Sequence, residues 1–245
     1  MPLFLTSSPC DDAVPAGVAL PCIFFTRNAF VDNLRRHVQP GMRFLAIAAW
    51  KDDHARNDEM AATFAGCFAY HGMAFSRTDV LDSRNQADAA ALVAAADVIL
   101  LAGGHVPTQN AFFREIGLRG LLSDRERVIM GVSAGSMNAA DVVYAQPEES
   151  GEATDPAYQR FIPGLGLTRR NILPHYHMVK DNVIDGLRLF EDVTFADSHG
   201  QTFWVLADGS YILADGAGER LHGEAWVIRD GVMRKVCEDG QSIPL

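Results

Sequence analysis

The chain has 245 residues, 48% of them hydrophobic and 21% charged, which is enough to bury one substantial core and predicts a single domain over residues 1–245. The formal net charge is -10, and Lys and Arg form no run longer than the Arg35-Arg36 and Arg169-Arg170 pairs, which argues against nucleic acid as a partner. The sequence has no basic leader followed by a long apolar segment and no run of about 18 apolar residues, which argues against a membrane span and predicts a cytoplasmic protein.

Short apolar runs alternate with helical patterns through the first 140 residues. This alternation is typical of βαβ units and predicts an α/β fold with a mostly parallel sheet. The predicted strands are residues 3–6, 43–50, 75–81, 97–102 and 127–132. The predicted helices are residues 28–38, 57–71, 86–96 and 107–122, with a further helix directly after residue 133.

From Thr202 onward the pattern changes to short β-type runs separated by glycine turns. The dipeptides Asp208-Gly209 and Asp230-Gly231 each lie between apolar runs and predict hairpin turns. We therefore expect an antiparallel extension of the same sheet near the C-terminus rather than a second domain.

The four cysteines carry no metal-binding pattern in the sequence. Cys10, Cys22, Cys67 and Cys237 lack C-x-x-C spacing, which argues against a zinc ribbon and predicts reduced, mostly buried thiols. No metal and no organic cofactor is expected.

Residues 131–135 read GVSAG, a G-x-S-x-G pattern that places a serine on a sharp turn between a strand and a helix. An apolar strand is predicted before Ser133, and small residues suited to a closely packed helix follow it. Ser133 is therefore the candidate nucleophile. Its alternative interpretation is a serine in a tight turn with no chemical role.

A serine nucleophile needs a general base and an acid that orients the base. Among eight histidines, His175 in the segment ILPHYHM is the best candidate base, and His177 has the same parity along an extended segment. Acid candidates crowd the loop PEESGEATDP, and spacing alone does not choose among them. These candidates are Glu148, Glu149, Glu152 and Asp155.

Acyl transfer also requires donors for the oxyanion. The backbone N–H of Ala134 follows the nucleophile directly. Gly103-Gly104 follows the neighbouring predicted strand, and glycine lets a backbone N–H approach a substrate closely. These residues predict an oxyanion hole at the carboxyl edge of the sheet.

The segments LLAGGH, VIMGVSAGSMNAA and ILPHYH, in this order, resemble the aspartyl dipeptidase (peptidase E) and cyanophycinase family of serine peptidases. The resemblance covers roughly residues 43–206. It implies a fold like that of class I glutamine amidotransferases, a three-layer α/β sandwich with a mostly parallel central sheet flanked by helices, with serine in place of the nucleophilic cysteine.

The resemblance implies roles for several of these residues. Ser133 corresponds to the family's nucleophile, His175 to its histidine, and the glycine-rich loop to Gly103 and Gly104. An ungapped count from the serine places the family's acid at Glu148, with Glu149 adjacent. The resemblance places the oxyanion donors at the backbone N–H groups of Gly104 and Ala134, and it makes Gly103 and His105 candidate substrate-binding residues. The family's G-G-G-N loop reads Ala102-Gly103-Gly104-His105 here, and this departure leaves the substrate specificity open.

The function implied is hydrolysis of small peptides through an acyl-enzyme, with an acidic N-terminal residue or an aspartyl linkage as the family's usual preference. Two alternatives remain. A catalytically silent amidotransferase-like protein could keep the turn to bind a small ligand. An α/β-hydrolase esterase fits less well, because its histidine normally lies far later than the 42 positions that separate Ser133 from His175. A homodimer remains an open expectation.

Overall fold

The computed structural model describes residues 1–122 and 127–245, and these residues contain eighteen short strands. In chain order they are β1 (Leu3–Thr6), β2 (Cys10–Asp11), β3 (Ile23–Phe24), β4 (Arg43–Ile47), β5 (Arg77–Leu81), β6 (Val98–Leu101), β7 (Val128–Val132), β8 (Val142–Tyr144), β9 (Phe161–Pro163), β10 (Asn171–Leu173), β11 (Val183–Ile184), β12 (Leu187–Arg188), β13 (Thr202–Leu206), β14 (Tyr211–Asp215), β15 (Gly218–His222), β16 (Ala225–Arg229), β17 (Val232–Cys237) and β18 (Ser242–Pro244).

The helices are short apart from α2. They are α1 (Phe30–His37), α2 (His54–Tyr70), α3 (Ala89–Ala95), α4 (Val106–Glu115), α5 (Leu118–Leu121), α6 (Ala134–Asn138), α7 (Tyr176–Val179) and α8 (Phe195–Asp197), with 3-10 turns at Arg27–Ala29 and Gln86–Asp88 and a π-helical turn at Leu189–Thr194. None of the helices in residues 1–122 and 127–245 has both the length and the apolar character needed to span a bilayer.

An eight-stranded sheet has the order β18-β15-β14-β1-β7-β6-β4-β5. Five neighbouring strands of this sheet are parallel, namely β1, β7, β6, β4 and β5. Strands β14, β15 and β18 extend the sheet beyond β1 and pair antiparallel. This arrangement confirms the predicted α/β fold and its antiparallel extension. It also brings the N-terminal strand β1 next to β7, the strand that precedes Ser133.

Both faces of the four inner parallel strands β1, β7, β6 and β4 are buried, which explains their apolar sequences, whereas the edge strand β5 is partly exposed. Alternate residues point to opposite faces: Leu3 and Leu5 pack with helices α3 to α5, and Phe4 packs with α1 and α2 on the other side. The central sheet therefore lies between two helical layers, as expected for a three-layer sandwich.

A second sheet of four strands corrects part of the C-terminal prediction. It has the order β10-β13-β16-β17, with β10 and β13 parallel and the others antiparallel. Asp230-Gly231 forms the predicted hairpin between β16 and β17. Asp208-Gly209 does not join a hairpin, because β13 belongs to the small sheet and β14 to the large one. Asp208 therefore lies where the chain crosses between the sheets.

Two predicted helices are divided in the structure. Positive φ angles at Asn28 and Ala29 separate a 3-10 turn from α1, and Gly117, with φ 64°, separates α4 from α5. The remaining predicted elements of the first 140 residues lie within a few residues of their expected positions.

Candidate active site

Ser133 occupies a strained turn between β7 and α6. Its backbone has φ 51° and ψ −115°, a conformation that costs a non-glycine residue free energy. The motif glycines allow the turn, because a Cβ at Gly131 would lie 2.7 Å from the Ser136 nitrogen and one at Gly135 would lie 2.1 Å from the Leu101 oxygen. The GVSAG segment therefore forms the predicted strand-turn-helix element, with Ser133 in a strained backbone conformation at the turn.

His175 lies two residues after β10 and has a left-handed backbone, with φ 60° and ψ 32°. Its Nδ1 lies 2.7 Å from Oδ1 of Asp208. An ionised carboxylate only accepts hydrogen bonds, so this contact assigns the ring proton to Nδ1 and leaves Nε2 as the basic nitrogen. The imidazole is thus held in the tautomer that a general base requires.

The Asp208 carboxylate is held by three donors. In addition to His175, its Oδ1 accepts hydrogen bonds from Ser7 Oγ at 2.6 Å and from the Ser8 N–H at 3.0 Å. Burial opposes ionisation of Asp208, but the hydrogen bond and the charge of His175 outweigh it, with further help from the two serine donors, and the pKa lies below its usual value. Asp208 is therefore the anionic partner of His175.

Ser7 contacts all three of these residues. Its carbonyl oxygen accepts the N–H of Ser133 at 3.1 Å, and its Oγ accepts the N–H of His175 at 2.7 Å while donating to Asp208. The Ser7 side chain is fully buried. One hydroxyl thus links the backbone of the candidate base to the carboxylate that orients it.

The topology explains why these residues meet. Ser7 and Ser133 follow the carboxyl ends of β1 and β7, which are parallel neighbours in the large sheet. His175 and Asp208 each follow, by two residues, the ends of β10 and β13, the parallel pair of the small sheet. Ligand sites in α/β proteins form at such carboxyl edges.

Ser133 and His175 line one cavity of about 240 Å³. Its walls are mostly apolar, with the side-chain amides of Gln146 and Asn182 and the carboxyl of Glu148 as polar groups. The full lining consists of Ser133, Met137, Gln146, Pro147, Glu148, Pro174, His175, Val179, Asn182, Ile184 and Leu189. Larger concave regions occur elsewhere on the surface, but Ser133 and His175 do not line them.

The structure does not place either expected acid on His175. Glu148 lines the cavity without a hydrogen bond to the imidazole, and Glu149 is exposed on the adjoining loop. The Glu152 carboxylate accepts hydrogen bonds from the backbone N–H groups of Glu148 at 2.8 Å and Glu149 at 3.0 Å. The Asp155 carboxylate accepts one from the N–H of Ala157. The loop carboxylates thus stabilise their own loop, and the expected position is taken by Asp208.

His105 and His177 also have other partners. Nδ1 and Nε2 of His105 lie 2.8 Å from Thr108 Oγ1 and Glu152 Oε1, respectively. Nε2 of His177 contacts Glu224 at 2.7 Å on the exposed surface. His105 therefore joins the glycine loop to the acidic loop, and the structure places neither histidine in the lining of the Ser133 cavity.

Glu148 has a raised pKa of about 7. Loss of solvation of the carboxyl is the main cause of this raised pKa, followed by the negative charges of Glu152 and Glu149, and a hydrogen bond from the Val106 N–H opposes them. Because the pKa of Glu148 is higher in the folded state, its protonation stabilises the fold fully at pH values below its ordinary pKa of 4.5. This contribution to stability is lost as the pH rises through about 7.

We expect Glu148→Gln to be more stable than the wild type at pH 8 by roughly 1 kcal/mol. This value is smaller than the raised pKa alone would give, because part of the Glu148 side chain is exposed and solvent screens its charge. The two proteins should differ less at pH 5. Urea unfolding at both pH values measures the difference. A stability difference that stays constant between pH 5 and pH 8 would contradict the assigned titration.

The glycine loop lies against the candidate nucleophile. A Cβ at Gly103 would lie 3.5 Å from Ser133 Cβ, and one at Gly104 would lie 2.5 Å from Ala49 Cβ. No residue within 1–122 and 127–245 accepts a hydrogen bond from the backbone N–H of Gly103, Gly104 or Ala134. The loop therefore leaves backbone donors beside Ser133, as the sequence predicts for an oxyanion hole.

Within residues 1–122 and 127–245, two groups of side chains offer potential metal ligands. The ligand atoms of Cys10, Cys22 and Cys67 lie within 4.8 Å of one another, as do those of His105, Glu149 and Glu152. The second group already contains the hydrogen bond between His105 and Glu152. Neither group includes Ser133 or His175.

Sequence reasoning missed Asp208 and Ser7. The Asp208-Gly209 dipeptide predicts only a hairpin turn, and Ser7 is not among the candidate residues. The available signal was position, because Ser7 follows a strand predicted to be buried, where polar side chains often contribute to sites. Pairing β1 with β7 would have placed it beside Ser133.

Comparison with known proteins identifies the family and a similar fold. The sequence model of peptidase family S51 matches residues 24–221. The 1.5 Å crystal structure of a candidate peptidase E protein from Listeria monocytogenes EGD-e has a similar fold, with a TM-score of 0.59 and 14% sequence identity. The match covers 96% of this chain and 98% of that chain. A search of curated protein sequences gives no significant match.

Proposed function

The chain belongs to peptidase family S51 and is a serine-type peptidase, and on that premise we propose that it cleaves small peptides through an acyl-enzyme formed on Ser133. The observation that carries this proposal is the contact of 2.7 Å between His175 and Asp208 at a cavity that Ser133 also lines. We assign His175 as the general base and Asp208 as the acid that orients it.

In the first half of the reaction, His175 Nε2 takes the proton of the Ser133 hydroxyl while Oγ attacks the peptide carbonyl carbon. The tetrahedral intermediate collapses as the carbon–nitrogen bond breaks, and the imidazolium gives its proton to the leaving amine. Asp208 remains ionised and stabilises the imidazolium. The products of this half are a free amine and an ester of Ser133.

Water completes the cycle by the same groups. His175 takes a proton from the water as its oxygen attacks the ester carbonyl, and the proton then returns to Ser133 Oγ as the acid product leaves. Backbone N–H groups of Ala134 and of Gly103 or Gly104 are the proposed donors to the oxyanion in both halves. Their lack of acceptors among the described residues supports this role.

The cavity size supports a small substrate. The cavity of about 240 Å³ has room for one or two side chains of a substrate. It is too small to hold a folded protein segment. The acidic N-terminal residue implied by the family resemblance stays a prediction. No Lys or Arg lines the Ser133 cavity in the part of the chain that the structure describes, so a partner for an acidic side chain has to come from outside this lining.

The test is hydrolysis of a panel of dipeptides and short peptides by the wild-type protein, including N-terminal Asp, N-terminal Glu and β-aspartyl substrates. Labelling with a fluorophosphonate, mapped by mass spectrometry, should modify Ser133 alone. Turnover with labelling at Ser133 supports the proposal. A protein that neither cleaves any member nor reacts with the probe is the silent ligand-binding protein.

Ser7→Ala should lower kcat by about 10- to 100-fold with little change in KM. The substitution removes the hydroxyl that donates to Asp208 and accepts the His175 N–H, and the expected range corresponds to about 1.4–2.7 kcal/mol of lost transition-state stabilisation. Because Ser7 does not line the cavity, ground-state binding should persist.

Ser136→Ala is the matched control for Ser7→Ala. Ser136 is equally buried, and its Oγ donates to the Thr6 carbonyl at 2.7 Å without contacting His175 or Asp208. Steady-state kinetics and thermal midpoints of both variants separate loss of positioning from loss of stability. Equal losses of kcat in the two variants would count against a positioning role for Ser7.

A further inference from the structure

Three of the four cysteines meet at a site that the proposed reaction does not use. Cys10 lies on β2, Cys22 immediately precedes β3, and Cys67 lies on α2. Their sulfur atoms all lie within 4.8 Å of one another, and Sγ of Cys22 and Sγ of Cys67 are 3.9 Å apart. Residues that are separated by up to 57 positions in the sequence thus form one cluster of thiols.

The sulfur spacing fits metal coordination better than a covalent bond. A metal–sulfur bond of about 2.3 Å places two sulfurs of one tetrahedral or trigonal site roughly 3.8–4.0 Å apart. A disulfide requires a sulfur–sulfur distance of about 2.05 Å. The observed 3.9 Å between Cys22 and Cys67 therefore matches two ligands of one metal ion, with only small movements needed to bring in Cys10.

The surroundings of the cluster restrict the type of ion. Cys22 and Cys67 are buried and Cys10 is partly exposed, so the site is largely shielded but open on one side. The group contains three thiols and no histidine or carboxylate among the described residues. Soft thiolate ligands select ions such as Cu(I) and Zn(II) over hard cations such as Mg²⁺.

We propose that Cys10, Cys22 and Cys67 bind one thiophilic metal ion. As each sulfur–metal bond forms, the thiol releases its proton to solvent, and no electron is transferred. Three thiolates alone satisfy a trigonal Cu(I) ion, whereas Zn(II) takes a fourth ligand, which water supplies on the side that Cys10 leaves open.

A bound ion would fasten the first hairpin to the long helix. Cys10 and Cys22 flank the loop that joins β2 to β3, and Cys67 belongs to α2, which packs under it. Cys10 also follows Ser8 by two residues, and the Ser8 N–H donates to Asp208. The ion would therefore stabilise a segment that begins at the candidate active site.

Titration of the reduced protein with Cu(I) and, separately, with Zn(II), each in competition with a chromophoric chelator, tests the site. We expect one equivalent of the preferred ion, with sulfur-to-metal charge-transfer absorption for Cu(I). The ion that competes more strongly with its chelator identifies the occupant. No binding of either ion at micromolar concentration would overturn the proposal.

Cysteine variants locate the binding. Cys10→Ser should lose the bound equivalent, and it is the safest variant because its side chain is partly exposed, while Cys22→Ser provides a second. Cys237→Ser, which removes the one cysteine outside the cluster, should retain it. Binding that persists in Cys10→Ser and Cys22→Ser would overturn the proposal.

Thermal unfolding gives an independent readout. The preferred ion should raise the thermal midpoint of the wild type and of Cys237→Ser by several degrees, because it binds the folded state selectively. It should leave the midpoint of Cys10→Ser unchanged. Equal shifts in all three proteins would assign the ion to other ligands. Peptide hydrolysis is not part of this test, so its outcome is separate from that of the proposed function.

Discussion

Ser133→Ala will lower kcat by about a million-fold and abolish fluorophosphonate labelling, while the protein stays folded. Without Oγ no acyl-enzyme forms, and His175 and Asp208 then have no nucleophile to activate, so removing the nucleophile costs nearly as much as removing the whole triad. Alanine keeps the Cβ and imposes the same backbone strain at φ 51°, so the turn itself should persist.

Steady-state hydrolysis of the best panel substrate and intact-mass analysis after labelling measure this loss. Circular dichroism and the thermal midpoint serve as controls for folding. Residual activity within a hundred-fold of the wild type, in a preparation free of contaminating peptidase, would show that another group performs the attack. Ser136→Ala offers a matched loss of a buried hydroxyl three residues along the chain.

Asp208→Asn is expected to lower kcat by about 10⁴-fold with a much smaller effect on KM. The asparagine amide can donate to Nδ1, which then favours the tautomer with the proton on Nε2 and leaves Ser133 without its base. Asparagine has nearly the same shape as aspartate, so the fold should persist. Because His175, Ser7 and Ser8 all contact Oδ1, an amide nitrogen at that position loses the hydrogen bonds from Ser7 and Ser8, and the thermal midpoint should fall as well.

Glu148→Gln is the matched control that decides between the two acids. Glu148 is the position that the family resemblance suggested, whereas the structure places Asp208 at 2.7 Å from His175. We expect kcat of Glu148→Gln to remain within several-fold of the wild type, with any larger change in KM. If Glu148→Gln lost as much kcat as Asp208→Asn, the assignment of the acid to Asp208 alone would be wrong.

Much of the candidate site was predictable because its signals are local. The strained backbone of Ser133 and the close packing at Gly131 and Gly135 all involve one segment of five residues. The GVSAG pattern therefore predicts this turn from the sequence alone. The buried parallel strands were also predictable, because strands that are buried on both faces have continuous apolar sequences. The base was found through its position after a short apolar run.

Asp208 was not predictable from local patterns. Its Asp-Gly dipeptide between two apolar runs looks the same whether the runs pair with each other, as at Asp230-Gly231, or join different sheets. Only the long-range pairing of β13 with β10, and of β14 with β1, decides between these outcomes. The cysteine cluster is not predictable from the sequence for the same reason, because its members meet only through tertiary packing.

The two sheets divide the proposed triad between them. Strand β7 of the large sheet carries the nucleophile, while β10 and β13 of the small sheet deliver both His175 and Asp208. A small slide of one sheet over the other would leave the imidazole–carboxylate bond intact and change the separation between imidazole and serine. Partial denaturation should therefore uncouple proton transfer from peptide binding before either sheet melts, so that turnover disappears at a lower urea concentration than the secondary structure does.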